Sequence, residues 1–286
     1  MDTVNLGSIL VDIAACYTRV ENHPLRAEHD GGIIMADRLK GKVAVVTGSG
    51  RNIGRATVLK LAEEGANVVV NARSNKEEAE AVAREARELG VDALAIIADV
   101  GDREQIDRMM SQALDHFGQI DILISNAAIR PHKPFNDVTQ DEWERVRSVV
   151  LDGAVYCTHA VIPSMLRNQF GRLVFLAGDG AWNGSPERAH VSAAKMGLVG
   201  FARGLASEFG PQNIRANVLA PGSIDTSRAN PQWYSQSGGQ PTAAGIPLGR
   251  QGHVNEIASA IVFLVTDDGG YVTGQTLHVN GGSAYF

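Results

Sequence analysis

The stretch Val43-Ala44-Val45-Val46-Thr47-Gly48-Ser49-Gly50-Arg51-Asn52-Ile53-Gly54-Arg55-Ala56 changes character twice along its length. A run of Val and Ala fits a strand buried on both faces. Gly48 and Gly50 then let the main chain turn sharply without a Cβ clash. From Asn52 onward the pattern is helical, so the stretch reads as strand, tight turn, helix. A turn of this kind leaves backbone N–H groups unpaired at a helix N-terminus, where they and the helix dipole can hold a pyrophosphate. The spacing Gly-x-Gly-x-x-x-Gly is one residue longer than the dinucleotide fingerprint, and no Gly-Lys-Ser/Thr ending makes it an NTPase loop.

The same logic extends in both directions. After the first helix, Asn52 to Glu64, closed by Gly65, the pattern predicts strand Asn67 to Val70, helix Glu77 to Leu89, strand Ala93 to Ile97, helix Arg103 to Phe117 and strand Ile120 to Ser125. The second half predicts helix Gln140 to Asn168, strand Arg172 to Leu176, helix Ala189 to Phe209 and strand Arg215 to Leu219. It ends with helix Asn255 to Val265 and strand Thr276 to Val279. Strands alternating with helices give a parallel sheet covered by helices. Between Pro221 and Gly252 lies a long irregular stretch, and a loop of that length inside a domain is usually functional. Trp233, Tyr234 and Gly238-Gly239 suit a lid with an aromatic surface and a glycine hinge.

Composition narrows the function. The chain has 286 residues, 44% of them hydrophobic, enough for a sizeable core, and a formal net charge of −6 that argues against a nucleic-acid partner. No apolar run long enough to span a bilayer is evident, so no membrane partner is expected. Cys16 and Cys157 are far apart, suggesting neither a disulfide framework nor a metal site, and a cytoplasmic setting is expected. Residues 1–36 lack the periodicity of the rest and are expected to be a flexible N-terminal extension, with a single domain over residues 37–286.

Several motifs in order resemble the short-chain dehydrogenase/reductase family across Leu39 to Ser283. Thr47-Gly48-x-x-x-Asn52-Ile53-Gly54 is similar to that family's Thr-Gly-x-x-x-Gly-Ile-Gly loop, with Asn52 in place of a glycine. Asn is the non-glycine residue most tolerant of positive φ. Asp99-Val100, Ser125-Asn126-Ala127-Ala128, Pro221-Gly222-Ser223-Ile224-Asp225-Thr226, Thr273-Gly274-Gln275 and Asn280-Gly281-Gly282 complete the set. The resemblance implies an α/β fold: one Rossmann-like, doubly wound sheet of seven parallel strands with helices on both faces, its ligand at the carboxyl ends of the strands.

It also implies a nicotinamide dinucleotide. Gly48, Ser49, Arg51, Asn52, Ile53 and Gly54 would hold the phosphates, Asp99 and Val100 the adenine, and Asn126 and Ala127 the region of the adenosine ribose. Pro221, Gly222, Ile224 and Thr226 would meet the nicotinamide, and Lys195 its ribose. NAD sites place a carboxylate at the end of the second strand to bind the ribose 2′-hydroxyl. Here Asn71-Ala72-Arg73-Ser74 has none, while Arg73 and Arg51 offer two guanidiniums for a 2′-phosphate. NADP(H) is the expected cofactor, with NAD(H) as the alternative.

The catalytic positions depart from the family. Its members usually carry an Asn, a Ser and a Tyr, the last four residues before a Lys whose charge lowers the phenol pKa. Lys195 is that lysine, and the tyrosine position is then Val191, the serine position Gly178 and the asparagine position Val150. These three would make the pocket floor apolar and roomy, suited to a lipophilic carbonyl or activated C=C substrate. For the replacement proton donor the candidates are Lys195 itself, His190, His132, Asp179, Tyr234 and water, the histidines being suited by pKa. The loss favours, as an alternative, a nucleotide-binding protein without turnover. Non-redox chemistry on the same fold ranks last, because the nucleotide loop is kept. Apolar residues over more than one face of Val149 to Val161 and Val191 to Ala206 predict a homo-oligomer, a dimer or tetramer as in the family.

Overall fold

The computed structural model describes residues 37–226, 243 and 245–286; the expected N-terminal extension and the aromatic loop with Trp233, Tyr234 and Gly238-Gly239 lie outside them. Val43–Val46 forms β1 with all of its side chains buried, as its unbroken apolar run requires. Then come α1 (Asn52–Glu63), β2 (Asn67–Ala72), α2 (Lys76–Glu88), β3 (Ala93–Ile97), α3 (Arg103–Phe117) and β4 (Ile122–Ser125). The second half contains α4 (Gln140–Arg147), α5 (Gly153–Asn168), β5 (Gly171–Leu176), the short α6 (Gly180–Asn183), α7 (Ala189–Phe209), β6 (Ile214–Pro221), α8 (Val254–Val265) and β7 (Thr276–Val279).

The strands make a seven-stranded sheet in the order β3-β2-β1-β4-β5-β6-β7, with every pairing parallel. Two hydrophobic layers sandwich it. One gathers Met109 of α3, Val161 of α5 and Leu198 of α7. The other gathers Leu61 of α1, Val82 of α2 and Ile261 of α8. Each buried aliphatic side chain contributes about 1.5–3 kcal/mol. Because helices leave β1 toward one side and β4 toward the other, the chain opens a crevice at the carboxyl ends of these two strands.

Element ends follow local chemistry. Asp102 caps α3 by accepting from the Gln105 N–H, and Gly118, at φ 76, closes it. Two expectations need correction. The helix expected over Gln140 to Asn168 is α4 and α5 joined by a π turn at Ser148–Asp152, in which Val149 and Val150 are buried. This same span is, by length and composition, apolar enough to cross a membrane, contrary to the reading of the sequence. Half of its most apolar window is buried, and Cys157, Val161 and Met165 belong to the layer under the sheet, as in the core helix of a globular domain.

Candidate active site

The crevice between β1 and β4 is a cavity of about 730 Å³ at the carboxyl ends of the strands. Its floor is the turn after β1. Gly48 adopts φ 60, and a Cβ there would come within 2.9 Å of the Ala127 Cα; a Cβ on Gly54 would approach the Gly48 carbonyl oxygen to 2.5 Å. Both positions therefore require glycine. Asn52 takes the left-handed conformation, φ 52, in the place where the family loop has glycine.

Asn126 fastens the end of β4 to this turn, its Nδ2 donating to the carbonyl oxygens of Thr47 and Gly48 at 2.9 Å each. Thr47 Oγ1 in return accepts the N–H groups of Asn126 and Ala127 at 3.0 and 3.1 Å. Asn71, at the end of β2, accepts the Gly48 N–H at 3.1 Å and donates to the Ala98 carbonyl at 3.0 Å, tying β1, β2 and β3 together behind the cavity.

The sequence-predicted cofactor residues converge here. Gly48, Arg51, Asn52, Ile53, Gly54, Arg73, Asp99, Val100, Asn126, Ala127, Lys195, Pro221, Gly222, Ile224 and Thr226 all line the cavity. Ser49 does not: it is fully buried, and its hydroxyl is spent inward, donating to the Val46 carbonyl at 2.7 Å and accepting the Asn71 N–H at 3.0 Å. Helices α2, α3 and α4 start on the capping side chains of Asn75, Asp102 and Thr139, whereas α1, like α5, α6 and α7, starts with no side-chain bond to its first turn. Of these four, α1 alone begins at the glycine turn of the cavity. N–H groups without such a cap, at a helix end bordering a cavity, suit a pyrophosphate.

At the β2 end, Arg51 and Arg73 share the lining with a carboxylate that the sequence reading missed, Glu78 on α2. A Cβ on Gly50 would be 3.5 Å from Glu78 Oε2, so the acid sits against the glycine turn. Arg145 and Arg130 also line the cavity, and neither was singled out from the sequence. Their places in the lining depend on how distant segments pack, which leaves no local signal.

At the opposite end, Lys195 is buried and its Nζ donates to the carbonyl of Leu176. Burial, with a smaller contribution from the nearby charge of Arg130, pushes its pKa down to about 7. Leu176, Ala177 and Gly178 line the cavity beside it.

Among the described residues, neither Val150 nor Val191 is part of the lining, and both are buried in the layer beneath. The expected apolar floor is therefore supplied on this side by Ala177, Gly178 and Val149. His190 and His132 do not line the cavity either. His190 is buried, which pushes its pKa down, and its Nδ1 has no hydrogen-bond partner among the described residues. The His132 Nδ1 lies 3.7 Å from a Glu187 carboxylate oxygen. Asp179 is spent on a neighbouring cluster, accepting from the Ser283 hydroxyl at 2.9 Å and lying 3.3 Å from His278 Nδ1. Of the candidate proton donors within the described residues, Lys195 alone borders the cavity.

The chain is similar to known proteins in sequence and in fold. The family model for enoyl-(acyl carrier protein) reductase matches residues 48–284. A 3-oxoacyl-(acyl-carrier-protein) reductase of Staphylococcus aureus is 37% identical over 241 residues, covering 84% of this chain and 97% of the relative. The enzyme of the same name from Haemophilus influenzae is 37% identical over 244 residues, covering 85% and 98%. Among solved structures, a putative short-chain alcohol dehydrogenase from Sinorhizobium meliloti superposes with a TM-score of 0.81 at 32% identity, covering 87% of this chain and 98% of that one. An NAD+-bound xylitol dehydrogenase superposes at 0.78 with 31% identity, covering 85% and 99%. With its sheet order, its glycine turn and these relatives in agreement, the chain belongs to the short-chain dehydrogenase/reductase family of oxidoreductases.

Proposed function

We propose that residues 37–286 form a nicotinamide-dinucleotide-dependent reductase that prefers NADPH, acts on a small, rather apolar carbonyl or activated C=C substrate, and handles the proton through Lys195. The observation that carries this reading is one continuous cavity with two guanidiniums at one end and a buried lysine at the other. NADPH, when bound, supplies the hydride. Arg51 and Arg73 would take the 2′-phosphate by charge-assisted bonds, against the opposing charge of Glu78. The uncapped first turn of α1 would hold the pyrophosphate.

With no tyrosine beside it, Lys195 is the group whose proton a substrate oxygen or carbanion can take. A pKa near 7 lets it give that proton up near neutrality and regain it from water. An activated alkene or iminium carries its own electron sink, which lowers the demand for an acid at oxygen. Such substrates fit this site better than simple ketones do. The name of the Staphylococcus aureus relative, a 3-oxoacyl reductase, supports a carbonyl on an acyl chain as the other class.

Titration with NADPH and NADH, followed by nicotinamide fluorescence, and then a panel of ketones, 3-oxoacyl thioesters and activated alkenes, tests this reading. Tight NADH binding with none for NADPH would overturn the cofactor preference. The same reading makes the protein a cytoplasmic homo-oligomer, and a monomer by light scattering would contradict it.

A second reading, a nucleotide-binding protein without turnover, is favoured by one observation: Val150 and Val191 put buried hydrocarbon where the family carries its Asn and Tyr. Any turnover that Lys195→Ala abolishes removes it.

A further inference from the structure

Arg145, in the last turn of α4, lines the cavity at the end where Asp99 and Val100 lie. Its Nη2 donates to Asp99 Oδ2 at 2.6 Å, and the other carboxylate oxygen accepts the Gly101 N–H at 2.8 Å. The Asp99 backbone N–H donates in turn to Gln105 Oε1 at 3.0 Å. The carboxylate is thus held from two directions and its main chain from a third. Room for the guanidinium is made by Gly101, where a Cβ would come within 2.5 Å of Arg145 Nη1. The Arg145 carbonyl accepts the Ser148 hydroxyl at 3.0 Å where the π turn begins, and the next residue, Val149, lines the cavity. π turns inserted in helices are frequently found at functional sites.

Stability does not explain this construction. The Arg145 and Asp99 side chains are 38% and 22% exposed, and ion pairs this open to water contribute little to folding. What the pair does is fix one orientation of a carboxylate at the wall of a ligand cavity. A carboxylate already bonded twice keeps a free lone pair on each oxygen and can accept only from a donor that approaches along them. A free Asp side chain, an acceptor in every rotamer, would swing away from the base edge toward water. One clamped by a guanidinium cannot.

We infer that Arg145 is a positioning residue that sets base selectivity at the adenosine end of the cofactor: it locks the Asp99 carboxylate as an acceptor for the exocyclic amine of adenine and against a base carrying oxygen there. The inference rests on the proposed dinucleotide site. It assigns to Arg145 an effect on which base is bound, beyond how tightly.

Fluorescence titration of the parent and of Arg145→Met with NADPH and with its hypoxanthine analogue, in which oxygen replaces the amine, tests it. The parent is expected to favour NADPH by about tenfold or more, the ratio typical of a lost bond to a charged group. In Arg145→Met that ratio should fall toward one, and Arg145→Lys should recover part of it. A variant that keeps the parent's ratio overturns the inference, whatever happens to absolute affinity, and so does a parent that does not discriminate. Should Arg145→Met fail to fold, Arg145→Gln, which keeps a polar side chain there without the cation, carries the same readout and the same expected collapse. A parent that binds no nucleotide at all instead overturns the underlying cofactor reading, so the two failures are distinct.

Discussion

The Lys195 amine donates to the carbonyl of Leu176, the last residue of β5, and both residues border the same cavity. In a site with tyrosine the lysine serves a neighbouring phenol. Here Val191 offers no such partner, and the amine is held by a neutral backbone carbonyl, which does little to favour its charged form. Desolvation therefore dominates, and the pKa falls to about 7.

That shift has a sign in stability. Between about pH 7 and the ordinary value of 10.5 the unfolded chain carries a proton on Lys195 that the folded chain lacks, so stability rises with pH across this window. Below about 7 the full penalty of the buried charge is present. Denaturant midpoints of the ligand-free parent, measured relative to Lys195→Met, are expected to climb from pH 7 toward 10. A flat difference would mean that the amine keeps an ordinary pKa.

Cofactor preference should respond in opposite directions to the two kinds of charge beside the glycine turn. Arg51→Ala and Arg73→Ala are each expected to weaken NADPH by about tenfold or more while changing NADH by less than about threefold. Glu78→Gln should strengthen NADPH, since it removes the carboxylate that faces the phosphate position. Dissociation constants for both nucleotides on all three variants check this. Equal effects on the two would show that these side chains do not meet the 2′ position.

Gly48→Ala puts a methyl 2.9 Å from the Ala127 Cα on a backbone at φ 60. A loss of about 2–4 kcal/mol is expected from strain and overpacking together. Because the displaced atoms belong to Ala127, just after β4, and that residue lines the cavity, nucleotide binding should fall with stability. Urea denaturation alongside NADPH titration measures both.

Rebuilding the family's proton donor is harder than the sequence alone suggests. Gly178, the serine position, sits at φ 150, where a serine is strained although the nearest atom to its Cβ, the Pro221 carbonyl oxygen, is 3.7 Å away. Gly178→Ser is expected to cost about 1–3 kcal/mol from backbone conformation alone. Val191→Tyr by itself avoids that backbone strain, but Val191 is buried in the layer beneath the cavity, so the larger ring is expected to cost about 1–3 kcal/mol from overpacking. If Lys195 is the proton donor, Val191→Tyr should raise the Lys195 pKa seen in the pH–rate profile and should raise ketone reduction relative to alkene reduction. An unchanged profile would show that the new phenol does not reach Lys195.

The sequence made the framework legible because its signals are local. Asp102 and Gly118 mark the ends of α3, and the buried run Val43 to Val46 marks the central strand. The cofactor residues other than Lys195 could be named because each ends or follows a strand, which places it at the same edge of the sheet. What could not be read are contacts between remote segments: Arg145 on Asp99, Glu78 against Gly50, and Asp179 on Ser283. His132 and His190 have the pKa range for proton transfer, but residue type says nothing about where a ring lies, and neither borders the cavity. Ser49 shows the converse, a motif residue whose hydroxyl holds the turn from behind.

The pairing of β1 with β4 also sets when the protein can become competent. The bond from the Val43 N–H to Asp121 joins positions 78 apart in the chain, whereas β1 and β2 meet across a single helix. Contacts between such distant positions pay a larger loop-closure entropy, and folding rates fall as such contacts come to dominate. Asn126 and Ala127 reach the glycine turn only after β4 has docked, so a chain halfway through refolding has the turn without its opposite wall. Nucleotide present during refolding should therefore leave the early phases untouched and hold only the last-formed state, so that regained ligand affinity lags behind regained helix signal.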